Sequence, residues 1–326
     1  MQDPSGLVRK EIMSPTLTDI QQARERIKPY AHRTPVFTNE SLNKHVNTQV
    51  YLKCENLQKV GAFKFRGACN AVFSLNDEEA ARGVCTHSSG NHAQALALAA
   101  RIRGIPAYIV MPRNAPQVKK DAVMGYGGQI TFCAPTLEAR EATLAKVVKE
   151  TGSVFVHPYN DECVIAGQGT AALELLENVP DLDVIIAPVG GGGLLSGTAI
   201  AASEIKKGIR LVAGEPEMAD DTFRSLKSGT IIPSVNPKTI ADGLLTSLGT
   251  LTFPIIRQRV EQIVTVSEKG IIASMKFIWE RAKIVIEPSA AVAIGVLWEG
   301  KVDLAGLKVG VILSGGNVDL DNLPWR

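Results

Sequence analysis

Lys64 stands between two phenylalanines in Gly61-Ala62-Phe63-Lys64-Phe65-Arg66-Gly67, just ahead of a helical stretch read from Arg66 to Leu75. A helix N-terminus disfavours a cation and aromatic neighbours strip water from an amine, so both effects lower its pKa. An amine tuned in this way is the nucleophile of Schiff-base chemistry. The bland alternative is a surface lysine whose stem covers apolar neighbours. A second group is Gly190-Gly191-Gly192-Gly193, between the apolar run VIIAPV and the helical run LLSGTAIAASEI. Four consecutive glycines lose more chain freedom than a tight turn requires; they leave backbone N–H groups unobstructed at a helix N-terminus, which is an anion site. No Lys-Ser/Thr follows, so a mononucleotide P-loop is excluded. The dinucleotide pattern G-x-G-x-x-G is nearly met by Gly191 and Gly193, with Ser196 in third place and Glu215 where a ribose-binding acid would stand. An NAD-dependent oxidoreductase therefore stays open, as does a phosphate sensor without catalysis.

Two further loops join these. His87-Ser88-Ser89-Gly90-Asn91-His92 leads from a strand into the helix AQALALAARI, and offers hydroxyls, an amide and helix N-terminal N–H groups to a carboxylate. The same serines and asparagine could be simple N-caps. Ser314-Gly315-Gly316-Asn317 follows the strand VGVIL and could bring a hydroxyl to a cofactor ring, or merely turn. The run Glu215-Pro-Glu217-Met-Ala219-Asp220-Asp221 offers hard oxygen donors suited to Mg2+ or Ca2+, or is a solvated acidic loop. A phosphate cradle together with a Schiff-base lysine suggests pyridoxal 5′-phosphate.

Something must hold these loops together. Apolar, β-branched runs alternate with helical ones along the chain: strands near 50–55, 84–86, 107–111, 129–132, 184–189, 210–214 and 309–313, and helices near 91–103, 117–124, 137–151, 194–206, 273–283 and 290–298. Continuous apolar strands between amphipathic helices predict an α/β fold with parallel sheet covered on both faces, in which ligands sit at the carboxyl ends of the strands. Of the 326 residues 45% are hydrophobic and 21% charged, with a net charge of +2. That composition excludes a disordered chain, and the near balance argues against nucleic acid as a general partner. No run approaches the ~20 apolar residues of a bilayer span, and MQDPSGLVRKEIM has no apolar core of a signal peptide. A cytoplasmic protein with no membrane partner is expected. The five cysteines form no C-x-x-C pair and are expected to be reduced thiols.

In this order the loops resemble the fold-type II pyridoxal-phosphate enzymes of the serine racemase and serine/threonine dehydratase family. The resemblance runs through RIKPYAHRTPVFTNESLN, AFKFRGACNAV, THSSGNHAQAL, GIPAYIVMP, AGQGT, GGGGLLSG, TIADGL, IEPSAA and SGGNVDL. The loop Ser-Gly-Asn-His departs from the Ser-Gly-Asn-Thr typical of the cysteine synthase branch. The resemblance implies a tryptophan synthase β-like fold: two open, twisted, mostly parallel sheets flanked by helices. A large cofactor-binding unit would comprise 1–82 and 159–326, and a small mobile unit 83–158. It implies interconversion of L- and D-serine, with β-elimination to pyruvate and ammonia. An L-threonine or L-threo-3-hydroxyaspartate dehydratase is the alternative.

By the same resemblance Lys64 would carry the cofactor, with Phe63 packed near its ring, Asn91 on the ring oxygen and Ser314 facing the ring nitrogen. Gly190, Gly191, Gly192, Gly193 and Leu194 would hold the phosphate. Ser88, Ser89, Asn91, His92 and Arg140 would receive the substrate, and Ser89 would serve the face of Cα opposite Lys64. Glu215, the Ala219 carbonyl and Asp221 would bind Mg2+, or Ca2+ or Mn2+ in its place. A homodimer is implied. Animal members bind ATP as an activator at a subunit interface. Lys59, Gln94, Tyr126, Lys283 and Asn317 match that pattern, but Val60 replaces a threonine and Asn39-Glu40 a serine pair. A carboxylate beside a triphosphate argues against ATP activation here.

Overall fold

The computed structural model describes residues 14–325. The N-terminal run considered above, and positions 1–13 and 326 of the expected large unit, lie outside them. Among the described residues ten strands form two sheets: β1 (Val36–Thr38), β2 (Gln49–Cys54), β3 (Val84–His87), β4 (Ala107–Pro112), β5 (Gln129–Cys133), β6 (Val154–Phe155), β7 (Val184–Pro188), β8 (Arg210–Pro216), β9 (Gln262–Val266) and β10 (Lys308–Leu313). The helices are α1 (Leu17–Ile27), α2 (Glu40–Val46), α3 (Lys64–Ser74), α4 (Asp77–Arg82), α5 (Asn91–Arg103), α6 (Gln117–Gly125) and α7 (Leu137–Thr151). After them come α8 (Glu162–Asn178), α9 (Gly193–Ile205), α10 (Asp221–Ser228), α11 (Thr252–Arg259), α12 (Glu268–Phe277) and α13 (Pro288–Trp298).

The larger sheet has six strands in the order β1-β2-β10-β7-β8-β9, parallel except for the β1 edge; the smaller has four, β5-β4-β3-β6, all parallel. Chain order thus departs from the larger sheet after β2, builds the smaller, and returns at β7. The last strand, β10, slots between β2 and β7. Both faces of each sheet are covered, as continuous apolar strands require. Val292, Val296 and Met275 from α12 and α13 pack on one face of the large sheet, and Leu175, Leu194 and Leu195 from α8 and α9 on the other.

Sequence reading and structure agree closely where a helix has a clear stop. The αL glycines Gly104 and Gly152 end α5 and α7 where expected, their positive φ excluding most other residues. Sequence reading gives no element at α8, where Gly167 and Gly169 sit mid-helix because space, not flexibility, requires them. A Cβ at Gly167 would lie 2.6 Å from the Arg66 carbonyl oxygen, and one at Gly169 2.8 Å from that of Gly197. Close passage of α3, α8 and α9 depends on these bare backbones.

That packing also encloses a cluster of charges. Arg66 Nε and Nη2 donate to Glu55 at 2.7 and 2.8 Å, and Nη1 and Nη2 donate to Glu174 at 2.8 Å each. Lys53 Nζ donates to Glu174 at 2.6 Å, and all four side chains are buried. Two cations and two anions balance, as interior charges must. The cluster anchors α3 two residues after Lys64.

Candidate active site

A cleft of about 390 Å³ opens between the carboxyl ends of the two sheets. Its lining brings together Phe63, Lys64, Ser88, Ser89, Gly90, Asn91, His92, Arg140, all four glycines, Leu194 and Ser314. Residues 64, 140, 190 and 314 thus converge because each loop follows a strand or opens a helix at the same end of its sheet.

Lys64 is the first residue of α3, not a residue before it. Its loop is stitched to the one after β10: Phe63 N–H donates to Ser314 O at 3.0 Å, and Gly316 N–H to Gly61 O at 2.9 Å. Lys64 Nζ reaches the cleft and donates to the Pro158 carbonyl at 2.8 Å. Burial lowers its pKa to about 8, while the Glu287 carboxylate pulls the other way. Of the two aromatic neighbours only Phe63 faces the amine, with its ring centroid 5.1 Å from Nζ; Phe65 is buried in the core.

The glycine loop forms an uncapped helix N-terminus. Gly192 is the N-cap of α9 at φ +89°, and no side chain takes the free N–H groups. Four orphan donors and the positive end of the helix dipole therefore face the cleft. Gly191 has an ordinary φ, and what it lacks is room: a Cβ there would lie 2.3 Å from Cδ1 of Tyr159. The opposite wall repeats the arrangement. Gly90 caps α5 without a side-chain bond, leaving the N–H groups of Asn91 and His92 at a second open terminus. Two uncapped helix starts facing one cleft suit a ligand with a phosphate and a substrate with a carboxylate.

The His92 ring is buried, and Nε2 lies 3.2 Å from the Val156 carbonyl, so Nε2 carries the proton. Nδ1 has no partner, and burial lowers the ring's pKa well below its ordinary value. A neutral Nδ1 offers no proton to a carboxylate; the His92 backbone N–H does. Asn91 Nδ2 donates to both Glu287 oxygens at 3.1 and 3.2 Å, and Asn317 Nδ2 donates to Asn91 Oδ1 at 2.9 Å. Glu287 also accepts from Asn317 N–H at 3.1 Å. Burial pushes its carboxyl up to about 7. Sequence reading missed Glu287; Glu-Pro in IEPSAA marks a helix start, and nothing local shows that the acid faces the cleft. Arg140 of α7 lines the cleft with Nε buried and unpartnered.

Glu215, last but one in β8, accepts the N–H groups of Thr222 at 2.7 Å and Phe223 at 2.8 Å. Both its oxygens accept backbone N–H groups at the start of α10. Asp221 is buried with Oδ2 unpartnered, and Ala219 ends the short turn before it. Burial raises Glu215 to about 8 and Asp221 to about 6. Among the described residues no group of three His, Cys, Asp or Glu side chains could hold a metal. The five cysteines are free thiols, as expected. Among the described residues no helix is long and apolar enough to cross a membrane.

An amine of lowered pKa beside an uncapped, glycine-lined helix start is what a pyridoxal-phosphate enzyme requires, and the family model for "Pyridoxal-phosphate dependent enzyme" matches residues 27–315. The chain belongs to that family. A β-hydroxyaspartate dehydratase of Paracoccus denitrificans is 54% identical over 96% of this chain and 99% of its own. A serine racemase of Dictyostelium discoideum is 51% identical over 94% of this chain and 96% of its own. The crystal structure of that racemase superposes with a TM-score of 0.90, covering 94% of this chain and all of the other (100%). Maize serine racemase, 46% identical, superposes at 0.93 and covers 95% of each chain. These neighbours carry the expected fold: two mostly parallel sheets flanked by helices.

Proposed function

We propose that the protein interconverts L- and D-serine and also eliminates water from serine to give pyruvate and ammonia. The observation that supports this reading is the convergence of Lys64, Ser89, both uncapped helix termini and Ser314 on one cleft. When bound, pyridoxal phosphate supplies an electron sink for the charge left as a bond at the substrate's Cα breaks. The cleft fits it: the N–H groups of Gly191–Leu194 would hold its phosphate, Lys64 its aldehyde carbon, Asn91 its ring oxygen and Ser314 its ring nitrogen. A serine hydroxyl there cannot enforce protonation of that nitrogen as a carboxylate would.

The chain's own groups account for the rest. Backbone N–H groups of Asn91 and His92, with Ser88, Ser89 and Arg140, would orient the substrate carboxylate. Lys64 Nζ, whose lowered pKa frees the amine above about pH 8, would take the Cα proton on one face, and Ser89 Oγ would deliver or remove one on the other. Loss of the Cβ hydroxyl after the same proton removal accounts for elimination. The buried pair Glu215 and Asp221, with the Ala219 carbonyl, would hold Mg2+, Ca2+ or Mn2+; the unpartnered Asp221 oxygen supports this. Residues 83–158 would move as a small unit against 1–82 with 159–326, in a cytoplasmic homodimer. An L-threo-3-hydroxyaspartate dehydratase is the second reading, favoured by the identity with the Paracoccus dehydratase. The test is incubation with L-serine, D-serine, L-threonine and L-threo-3-hydroxyaspartate, measuring enantiomers and keto acids together. Absence of D-serine from L-serine would overturn the first reading. Borohydride reduction that fails to label Lys64 would overturn both.

A further inference from the structure

The mouth of the cleft carries a charge pair that the reading above leaves unused. Lys119 Nζ of α6 donates to Asp242 Oδ2 at 2.5 Å, and both side chains line the cleft. Lys119 comes from the segment between β4 and β5 of the small sheet. Asp242 comes from the loop between α10 and α11, beside the large one. The pair therefore spans the opening. Among the described residues neither side chain makes another hydrogen bond. Lys119 is 25% exposed and Asp242 55%, so water reaches both. A pair so wetted contributes little as a structural tie, and an exchange of partner costs little.

The charges around it give that exchange a direction. Lys64 is committed to the cofactor, and the uncapped start of α5 serves the α-carboxylate. A substrate bearing a second carboxylate on Cβ would bring it to a lining that already holds Asp242 and Glu287. Two like charges in a confined site are unfavourable unless a cation is released to one of them. Lys119 is the cation whose present partner is itself an exposed, singly bonded carboxylate.

We propose that Lys119 reads the substrate side chain, holding Asp242 as a counter-ion until the distal carboxylate of a 3-hydroxy dicarboxylic amino acid takes its place. Serine, whose side chain is neutral, leaves the pair closed. The inference rests on the reading of this cleft as one that acts on β-hydroxy amino acids, and adds the residue that sorts them. Asp242 acts through Lys119: its carboxylate competes with that of the substrate.

The experiment measures keto-acid release from L-threo-3-hydroxyaspartate and from L-serine by the holoenzyme and its Lys119→Met, Lys119→Arg and Asp242→Asn variants. Cofactor absorbance and melting temperature are recorded for each. The ratio of kcat/KM for the dicarboxylate to that for serine is expected to fall about tenfold or more in Lys119→Met, the worth of one charge-assisted hydrogen bond. It should rise in Asp242→Asn, where no side chain competes for the amine, and stay within a few-fold in Lys119→Arg. Ratios that move in the same direction in Lys119→Met and Asp242→Asn, or in neither, overturn the inference. A wild-type enzyme that consumes serine but not the dicarboxylate overturns it while leaving the functional reading intact. An enzyme inert on both overturns the two together.

Discussion

Replacing Gly191 by Ala tests whether the glycine loop works through the space it leaves. The new Cβ would lie 2.3, 2.4 and 2.5 Å from Cδ1, Cγ and Cε1 of Tyr159. Carbon atoms in ordinary contact are ~3.5–4.0 Å apart, so more than an ångström of movement is forced. The ring cannot swing freely, because it packs edge-on against His157 at 4.6 Å. Either the ring is displaced or the loop is, and overpacking of this kind costs about 1–3 kcal/mol. If the loop yields, its N–H groups leave the phosphate position, and cofactor affinity should fall ~10–100-fold. The assay is titration of apoprotein with pyridoxal phosphate, followed by visible absorbance, in a double-mutant cycle with Tyr159→Ala. That second change removes the three ring atoms and should abolish most of the Gly191→Ala effect, giving a coupling of about 1–3 kcal/mol. Additive effects would refute the steric argument, and so would a Gly191→Ala variant that binds the cofactor as tightly as the parent.

Ser89→Ala should abolish D-serine formation from L-serine while some pyruvate release persists; undiminished racemisation would remove Ser89 from its role. Cofactor capture by apoprotein needs the free amine of Lys64, whose pKa is lowered by burial to about 8. The capture rate should therefore rise with pH and level off above about 8; a rise that continues towards the ordinary lysine value of ~10.4 would contradict the burial. Added Ca2+ or Mg2+ should raise the melting temperature by a few degrees, since a ligand at 100 times its Kd contributes about 2.7 kcal/mol. Asp221→Asn should cancel that rise, and a rise of equal size in the variant would place the ion elsewhere.

How much of this was legible in advance depended on whether the cause was local. The stop of α5 at Gly104 could be read because its left-handed glycine cap lies within the segment. The helix expected over 273–283 instead runs from Glu268 to Phe277, followed by a wider π turn to Ala282. Its true cap, Ser267 accepting from Gly270 N–H at 3.0 Å, was a local signal passed over. α8 went unread, and the reason for its glycines, the backbone of another helix, is not local. Lys64 was read correctly as an amine of lowered pKa, but for a partly different cause: burial dominates, and one of its two phenylalanines faces away. Glu287 and the Arg66 cluster lay beyond reach, since Asn91 and Glu287 are 196 residues apart and Arg66 and Glu174 108.

The place of β10 bears on how the chain matures as it leaves the ribosome. All four strands of the small sheet lie between residues 84 and 155, and can pair while the remainder is still being synthesised. The large sheet has no such freedom, because β2 and β7 are joined only through β10, at residues 308–313. Until that segment emerges, two apolar strand edges wait unpaired, a condition that invites aggregation. The same late segment delivers Ser314 and the backbone that secures the Lys64 loop, so a nascent chain stopped before it should capture no cofactor. Vectorial synthesis thus makes completion of the sheet and competence for the cofactor a single event.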